Sequence, residues 1–185
     1  MILPIVVYGH PALKAKNKEV ESNYPELQKL IDDMFDTMRN ADGVGLAAPQ
    51  INKNIRLFVV DLSSYELPED KGGQFKQVFI NPVIVEREGE PEYFNEGCLS
   101  VPDIHEDVLR PPRIRIKYFD RDWNLHDEWF DGIPARVCQH EYDHVEGIVF
   151  VEYLSNLKKM VLHRKLTDMT KGVVNAHYKT ISTKR

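Results

Sequence analysis

Cysteine is scarce: Cys98 and Cys138 are the only two in 185 residues, too few for the disulfide framework of a small secreted domain. Long apolar runs are absent too. The opening stretch Met1-Ile2-Leu3-Pro4-Ile5-Val6-Val7-Tyr8 carries no basic leader and is too short to span a bilayer, so it reads as a buried N-terminal segment. The expected compartment is the cytoplasm, with no membrane partner. Glycine (10) and proline (11) are scattered without a period, which excludes fibrous and repeat architectures. Positive charge is in deficit, Lys+Arg 24 against Asp+Glu 29 for a net −5. That argues against a protein that coats DNA or RNA.

The deficit is uneven. Lys158 to Arg185 contains eight basic residues and one acidic residue, leaving 16 basic against 28 acidic ahead of it. An acidic body with a basic tail allows an anionic contact through the tail, although a solvated helix face followed by a frayed terminus is the simpler reading.

With 42% hydrophobic and 29% charged residues, the chain is in the globular range, and its length suits one domain burying roughly 70% of its unfolded surface. Apolar spacings of three and four predict a helix over Pro25–Asn40, ended by Asp42-Gly43. Strands are expected at Ile55–Val60, Val78–Asn81 and Val83–Arg87. Alternating Arg113, Arg115, Lys117 and Ile114, Ile116, Tyr118 predicts a one-sided strand, followed by a turn at Asp122–Asn124 and a partner strand at Leu125–Phe130. Ser63–Gln74 reads as a polar loop. Helical periods return over Ile133–Val145 and from Ser155 or Asn156 to Asp168, the latter with Leu157, Val161, Leu162 and Leu166 as its stripe. Separated helices and strands point to an α+β fold with antiparallel or mixed sheets.

The densest chemistry is Gln139-His140-Glu141-Tyr142-Asp143-His144. On a helix, His140 and His144 share one face and can present two imidazoles to one ion, with Glu141 close enough to take a proton from water. Two further donors compete for the third ligand position. His163 follows nineteen residues after His144, in a lysine-rich segment where an exposed histidine is the simpler reading. Cys98, in Glu96-Gly97-Cys98-Leu99-Ser100, offers a thiolate beside a glycine that permits close approach, or is otherwise a buried thiol. Two imidazoles and one thiolate would leave a tetrahedral position open, as in catalytic sites. Cys138 lies about 200° around the helix from His140 and should face packing. Gly43–Gln50 is rich in small residues. There Gln50 either donates to a developing oxyanion or bonds nearby backbone.

Gly43-Val44-Gly45-Leu46-Ala47-Ala48-Pro49-Gln50, Glu96-Gly97-Cys98-Leu99-Ser100 and Gln139-His140-Glu141-Tyr142-Asp143-His144, in this order, resemble the motifs of the bacterial-type peptide deformylases. The likeness extends from Ile5–Lys14 to Tyr153-Leu154-Ser155. The resemblance implies sheets packed around a central metal-binding helix, with residues 1–170 as one catalytic metallohydrolase domain and 171–185 as a basic tail. It further implies removal of the N-formyl group from the initiator methionine of nascent polypeptides, releasing formate. Cys98, His140 and His144 would be metal ligands and Glu141 the general acid/base. Gln50 and the Leu99 N–H would be oxyanion donors and Gly45 a substrate-backbone contact, with Val44, Ile133 and Val137 lining the methionine pocket. The family favours Fe(II), while the donor set also accepts Zn(II), Ni(II) or Co(II). The basic tail would suit a weak ribosome contact. His105 departs from the family's arginine seven residues after the cysteine, whereas Arg110 matches the one at twelve. Arg136 falls at a position commonly apolar, where it either lines the pocket rim and favours an acidic or polar residue further along the peptide or, on the simpler reading, snorkels to solvent. The competing readings are a broader metallopeptidase and a structural zinc module for protein interaction.

Overall fold

A computed structural model describes residues 1–64 and 74–183; most of the expected Ser63–Gln74 loop lies outside these. Short strands β1 (Ile5–Val6), β2 (Gly45–Ala47) and β3 (Leu57–Asp61) are joined through helix α1 (Leu27–Asn40). A long strand β4 (Lys76–Glu88) leads to a ribbon of β5 (Glu92–Cys98) and β6 (Val101–Arg110). The hairpin β7 (Arg113–Phe119) and β8 (Leu125–Asp131) then runs into helix α2 (Gly132–Val145). Helix α3 (Asn156–Thr170) and strand β9 (Thr180–Ile181) follow.

The main sheet is antiparallel in the order β2-β3-β4-β7-β8. All five residues of β3 are buried, and strand alternation divides them between two cores. Leu57 and Val59 pack with Ile31, Met34 and Met38 of α1. Phe58 and Val60 pack with Phe79, Ile116 and Tyr118 and with Ala135, Cys138 and Val145 of α2. The sheet is thus held between two helices. Each fully buried Leu, Val or Phe there contributes about 1.5–3 kcal/mol. A third core joins β1, β6 and α3 through Val6, Val101, Val108, Leu162, Leu166 and Met169. The fold is the expected α+β arrangement, its antiparallel sheet and β5–β6 ribbon accompanied by one parallel pair, β1–β9.

Several elements differ from expectation, each for a local reason. Helix α1 begins at Leu27 because Glu26 adopts a left-handed conformation, φ 51°. The two strands expected around Pro82 are one bent strand. Asn81 sits at φ 51°, with register shifts between Ile80 and Val83 and between Ile84 and Glu86, and its side chain replaces ladder bonds by pairing both polar groups of Val20 at 2.8 and 2.9 Å. The β5–β6 ribbon carries no expectation at all. Its first strand is largely exposed, and Pro102 and left-handed Asp103, φ 60°, interrupt alternation in the second.

In α3 the buried stripe is Leu162, Leu166 and Met169; Leu157 and Val161 are 72% and 76% exposed, so half of the expected stripe faces solvent. Ile5, Val6 and Val7 are buried as read, while Met1 and Ile2 are exposed. The segment expected to fray is paired at β9: Ile5 N–H donates to Lys179 O and Val7 N–H to Ile181 O, at 2.9 and 3.0 Å. No helix among the described residues is long and apolar enough to cross a membrane.

Candidate metal centre

Helix α2 is buried on nearly every side. Its apolar face closes the sheet core, so its polar face must find partners inside the protein. His140 and His144, one turn apart, present their rings with centroids 5.2 Å apart. Cys98 ends β5 opposite them, at the tight connection into β6. One ligand atom from each of Cys98, His140 and His144 lies within 4.8 Å of the others, and Cys98 Sγ is 3.2 Å from His144 Nε2. His140 directs Nδ1 to Glu96 Oε2 at 3.0 Å, which leaves Nε2 for the site. His144 Nδ1 is buried without a partner. One soft sulfur and two imidazole nitrogens suit a divalent first-row metal. Among the described residues the group has three members, the number found in catalytic rather than closed structural sites.

A buried ionic cluster fixes this arrangement. Arg110 grips Glu96 through two bonds at 2.7 and 3.0 Å and reaches Asp143 at 2.7 Å. Burial pushes the Glu96 carboxyl up, but the hydrogen bonds from His140 and Arg110 outweigh it and hold the pKa at about 2. The carboxylate therefore stays ionised and orients His140.

Arg136 joins the same cluster and does not reach solvent. It is 8% exposed, donating to Glu96 Oε1, Val108 O and Glu92 O at 3.3, 3.0 and 2.8 Å, with its guanidinium 5.4 Å from the Phe94 ring centre. The β5–β6 ribbon supplies three oxygens that the sequence did not reveal, and these hold the charge inside.

Glu141 is buried beside the metal ligands. Burial lifts its carboxyl to about 7, against the opposing charge of His140, and Oε2 has no partner. Gly45 explains how it fits: a Cβ there would lie 2.8 Å from both Cγ and Cδ of Glu141. Gln50 bonds nearby backbone, as one of its two readings expects, and turns its amide toward the ligand group. Its Oε1 accepts from Ala47 N–H at 2.8 Å, while Nε2 points to Cys98 Sγ at 3.6 Å and Ser100 Oγ at 3.2 Å.

These groups open into a cleft of about 660 Å³. Val44, Gly45, Ile133 and Val137 line it together with Gln50 and Glu141. Leu99, exposed His105 and, as one of its two readings expects, Arg136 border the same space. Strand β2 is an edge strand of the main sheet, so an extended chain could lie along it. Two other candidates fall elsewhere. Cys138 is fully buried in the sheet core, where burial raises its thiol pKa. His163 is exposed and borders a separate hollow beside Tyr8 and Leu166.

The family model for polypeptide deformylase matches residues 2–160. The chain belongs to the polypeptide deformylase family. Among curated deformylases, one from Cytophaga hutchinsonii is 50% identical over 179 residues, covering 97% of this chain and 96% of its own. One from Christiangramia forsetii is 49% identical over 186 residues, covering 97% and 95%. Among solved structures, the Legionella pneumophila peptide deformylase superposes with a TM-score of 0.81 at 38% identity, over 92% of this chain and 96% of its own. As a deformylase, the protein is a metal-dependent hydrolase.

The ionic cluster of Glu96, Arg110, Arg136 and Asp143 is the part of this deformylase site that sequence reasoning missed. Its available signal was spacing. Glu96 is two residues before Cys98 on one strand, and Asp143 three after His140 on one helix face.

Proposed function

We infer that the chain hydrolyses the formamide of N-formylmethionyl peptides emerging from synthesis, releasing formate and a free α-amine. One juxtaposition carries this reading: the Glu141 carboxylate, its Oε2 unpartnered, and the Gln50 amide flank the three-donor group at the end of a cleft lined by Val44, Ile133 and Val137. A divalent ion held by Cys98, His140 and His144 would supply Lewis acidity to the formyl carbonyl and acidify water.

The chain's own groups do the rest. The edge of β2 at Gly45 aligns the substrate backbone, and the apolar wall receives the methionine side chain. Glu141 takes a proton from water as the water attacks the formyl carbon. Gln50 Nε2–H and the Leu99 N–H donate to the oxygen as its charge develops. Glu141 then returns the proton to the departing amine, so the C–N bond breaks without releasing an anionic leaving group. A solved Acinetobacter baumannii deformylase bound to Met-Ala-Ser, 36% identical with a TM-score of 0.76, supports a methionine-headed peptide as the ligand class.

Fe(II) is the proposed resident metal, on family resemblance and the mixed sulfur–nitrogen shell. Zn(II), Ni(II) and Co(II) are the alternatives to be told apart by analysis of aerobic and anaerobic preparations. The proposed setting is the cytoplasm, with residues 1–170 as the catalytic unit and the basic C-terminal segment as a weak contact to the ribosome. The deciding experiment measures formate release from formyl-Met-Ala-Ser, beside cleavage of an unblocked peptide, with metal content quantified. Formate from the blocked peptide alone is expected. Internal peptide cleavage without formate would overturn the assignment in favour of a broader metallopeptidase.

A further inference from the structure

Residues 175–178, beyond α3 and outside the three motifs, form part of the cleft wall. They are held there by β9, which lies parallel on β1 with Thr180 opposite Ile5. From this segment Tyr178 packs on the α1 core and donates its hydroxyl to Leu99 O at 2.7 Å. Burial raises the Tyr178 pKa, so the phenol stays a donor throughout the neutral range.

The Cys98–Ser100 connection is tied at several other points. Tyr8 N–H donates to Ser100 O at 2.8 Å, and Gln50 Nε2 reaches Ser100 Oγ at 3.2 Å. Among these ties, the bond to the carbonyl of Leu99 itself comes from Tyr178. The residue's N–H and C=O share one Cα. With Cys98 fixed at the ligand group and the carbonyl fixed by Tyr178, the direction of the Leu99 N–H is set from both sides.

We propose that Tyr178 is a positioning residue for deformylation, holding Leu99 so that its N–H is aimed at the oxyanion before the charge forms. The inference rests on the proposed roles of Leu99 and of the site. An oxyanion donor stabilises the transition state most when its orientation needs no adjustment during reaction. Loss of the tie should therefore lower kcat rather than weaken ground-state binding.

The test compares the parent with Tyr178→Phe, both full-length and loaded with Co(II), on formyl-Met-Ala-Ser. Tyr178→Phe keeps the ring and removes one hydrogen bond. Turnover per bound cobalt is expected to fall about three- to tenfold with KM essentially unchanged. The cobalt–thiolate absorption, which reports Cys98, should stay the same, and the Leu99 amide should exchange faster. A merely structural role would lower the melting temperature and the metal-loaded fraction without slowing each loaded molecule. Turnover per cobalt equal to the parent's overturns the proposal, as does a changed cobalt spectrum, which would route the effect through Cys98. If the parent itself releases no formate, the reading of the site fails. Leu99 exchange then still decides whether Tyr178 orders the loop, and equal rates overturn that too.

Discussion

Gly45→Ala should separate activity from stability. The new methyl would lie 2.8 Å from Cγ and Cδ of Glu141 and would also touch Oε1. Ordinary carbon–carbon contact requires about 3.5 Å or more, so one side must move by roughly 0.7 Å. Strand β2 is held by its ladder to β3 and by buried Leu46 and Ala47. The Glu141 side chain is the softer element, because its free Oε2 forfeits no hydrogen bond by moving. The strain of a methyl inserted into packed surroundings costs about 1–3 kcal/mol. Replacing glycine inside a strand returns roughly 0.5–1 kcal/mol. Net destabilisation is then on the order of 1 kcal/mol, a melting shift of about 2–4 °C in a domain of this size. The movement falls on the group proposed to take a proton from water, and a misplacement near 1 Å costs about a hundredfold. The expected result is a kcat reduced about 10- to 100-fold, with metal content intact, in the formate-release assay. Turnover near that of the parent, with equal metal, would refute the placement of Glu141 against Gly45.

Gln50→Ala removes the proposed oxyanion donor and should cost about 2–4 kcal/mol in transition-state stabilisation, read as kcat under conditions where chemistry limits the rate. Arg136→Met leaves the carbonyls of Val108 and Glu92 without this donor, while Glu96 keeps Arg110 and His140. A loss of about 2–3 kcal/mol is expected, and an unchanged melting curve would show that the buried guanidinium contributes nothing net.

Far from the site, the hydrogen bond to Asp120 raises the His126 pKa above 6.5. Asp120 is pushed up by burial but drawn down to about 2 by its bonds with His126 and Asn124. The histidine's contribution is complete below pH 6.5 and disappears as pH rises through its folded value. The aspartate's is present above pH 3.8 and is lost as pH falls toward 2. His126→Ala should therefore lower the melting temperature more at pH 5.5 than at pH 8.5, and equal losses at both would contradict the pairing.

Periodicity revealed the elements that bury one regular face. Ile114, Ile116 and Tyr118 alternate in sequence and in the core, and α1 buries the residues spaced by three and four. It failed where a side chain replaces a ladder bond, as at Asn81, and where a ribbon is mostly solvated, as in Glu92–Cys98. Helix α3 misled because apolar residues lie on two of its faces, so pattern alone could not choose between Leu157 and Met169. At the site, His140, His144 and Cys98 were legible as ligand chemistry, since their residue types announce it. The ion pairs that orient them were not, because no local pattern joins Glu96, Arg110, Arg136 and Asp143 until the ribbon folds over α2. Arg136 makes the point directly: its burial is set by the carbonyls around it, which no local pattern encodes.

The pairing of Ile5 and Val6 with Thr180 and Ile181 gives the molecule a timetable. Translation makes β1 long before β9, so the first strand must wait for the later one before it gains this neighbour. A copy still being made already contains every proposed ligand, yet Leu99 lacks the tyrosine that holds it. Until residue 178 has been added and β9 has docked, the proposed clamp on Leu99 is therefore missing.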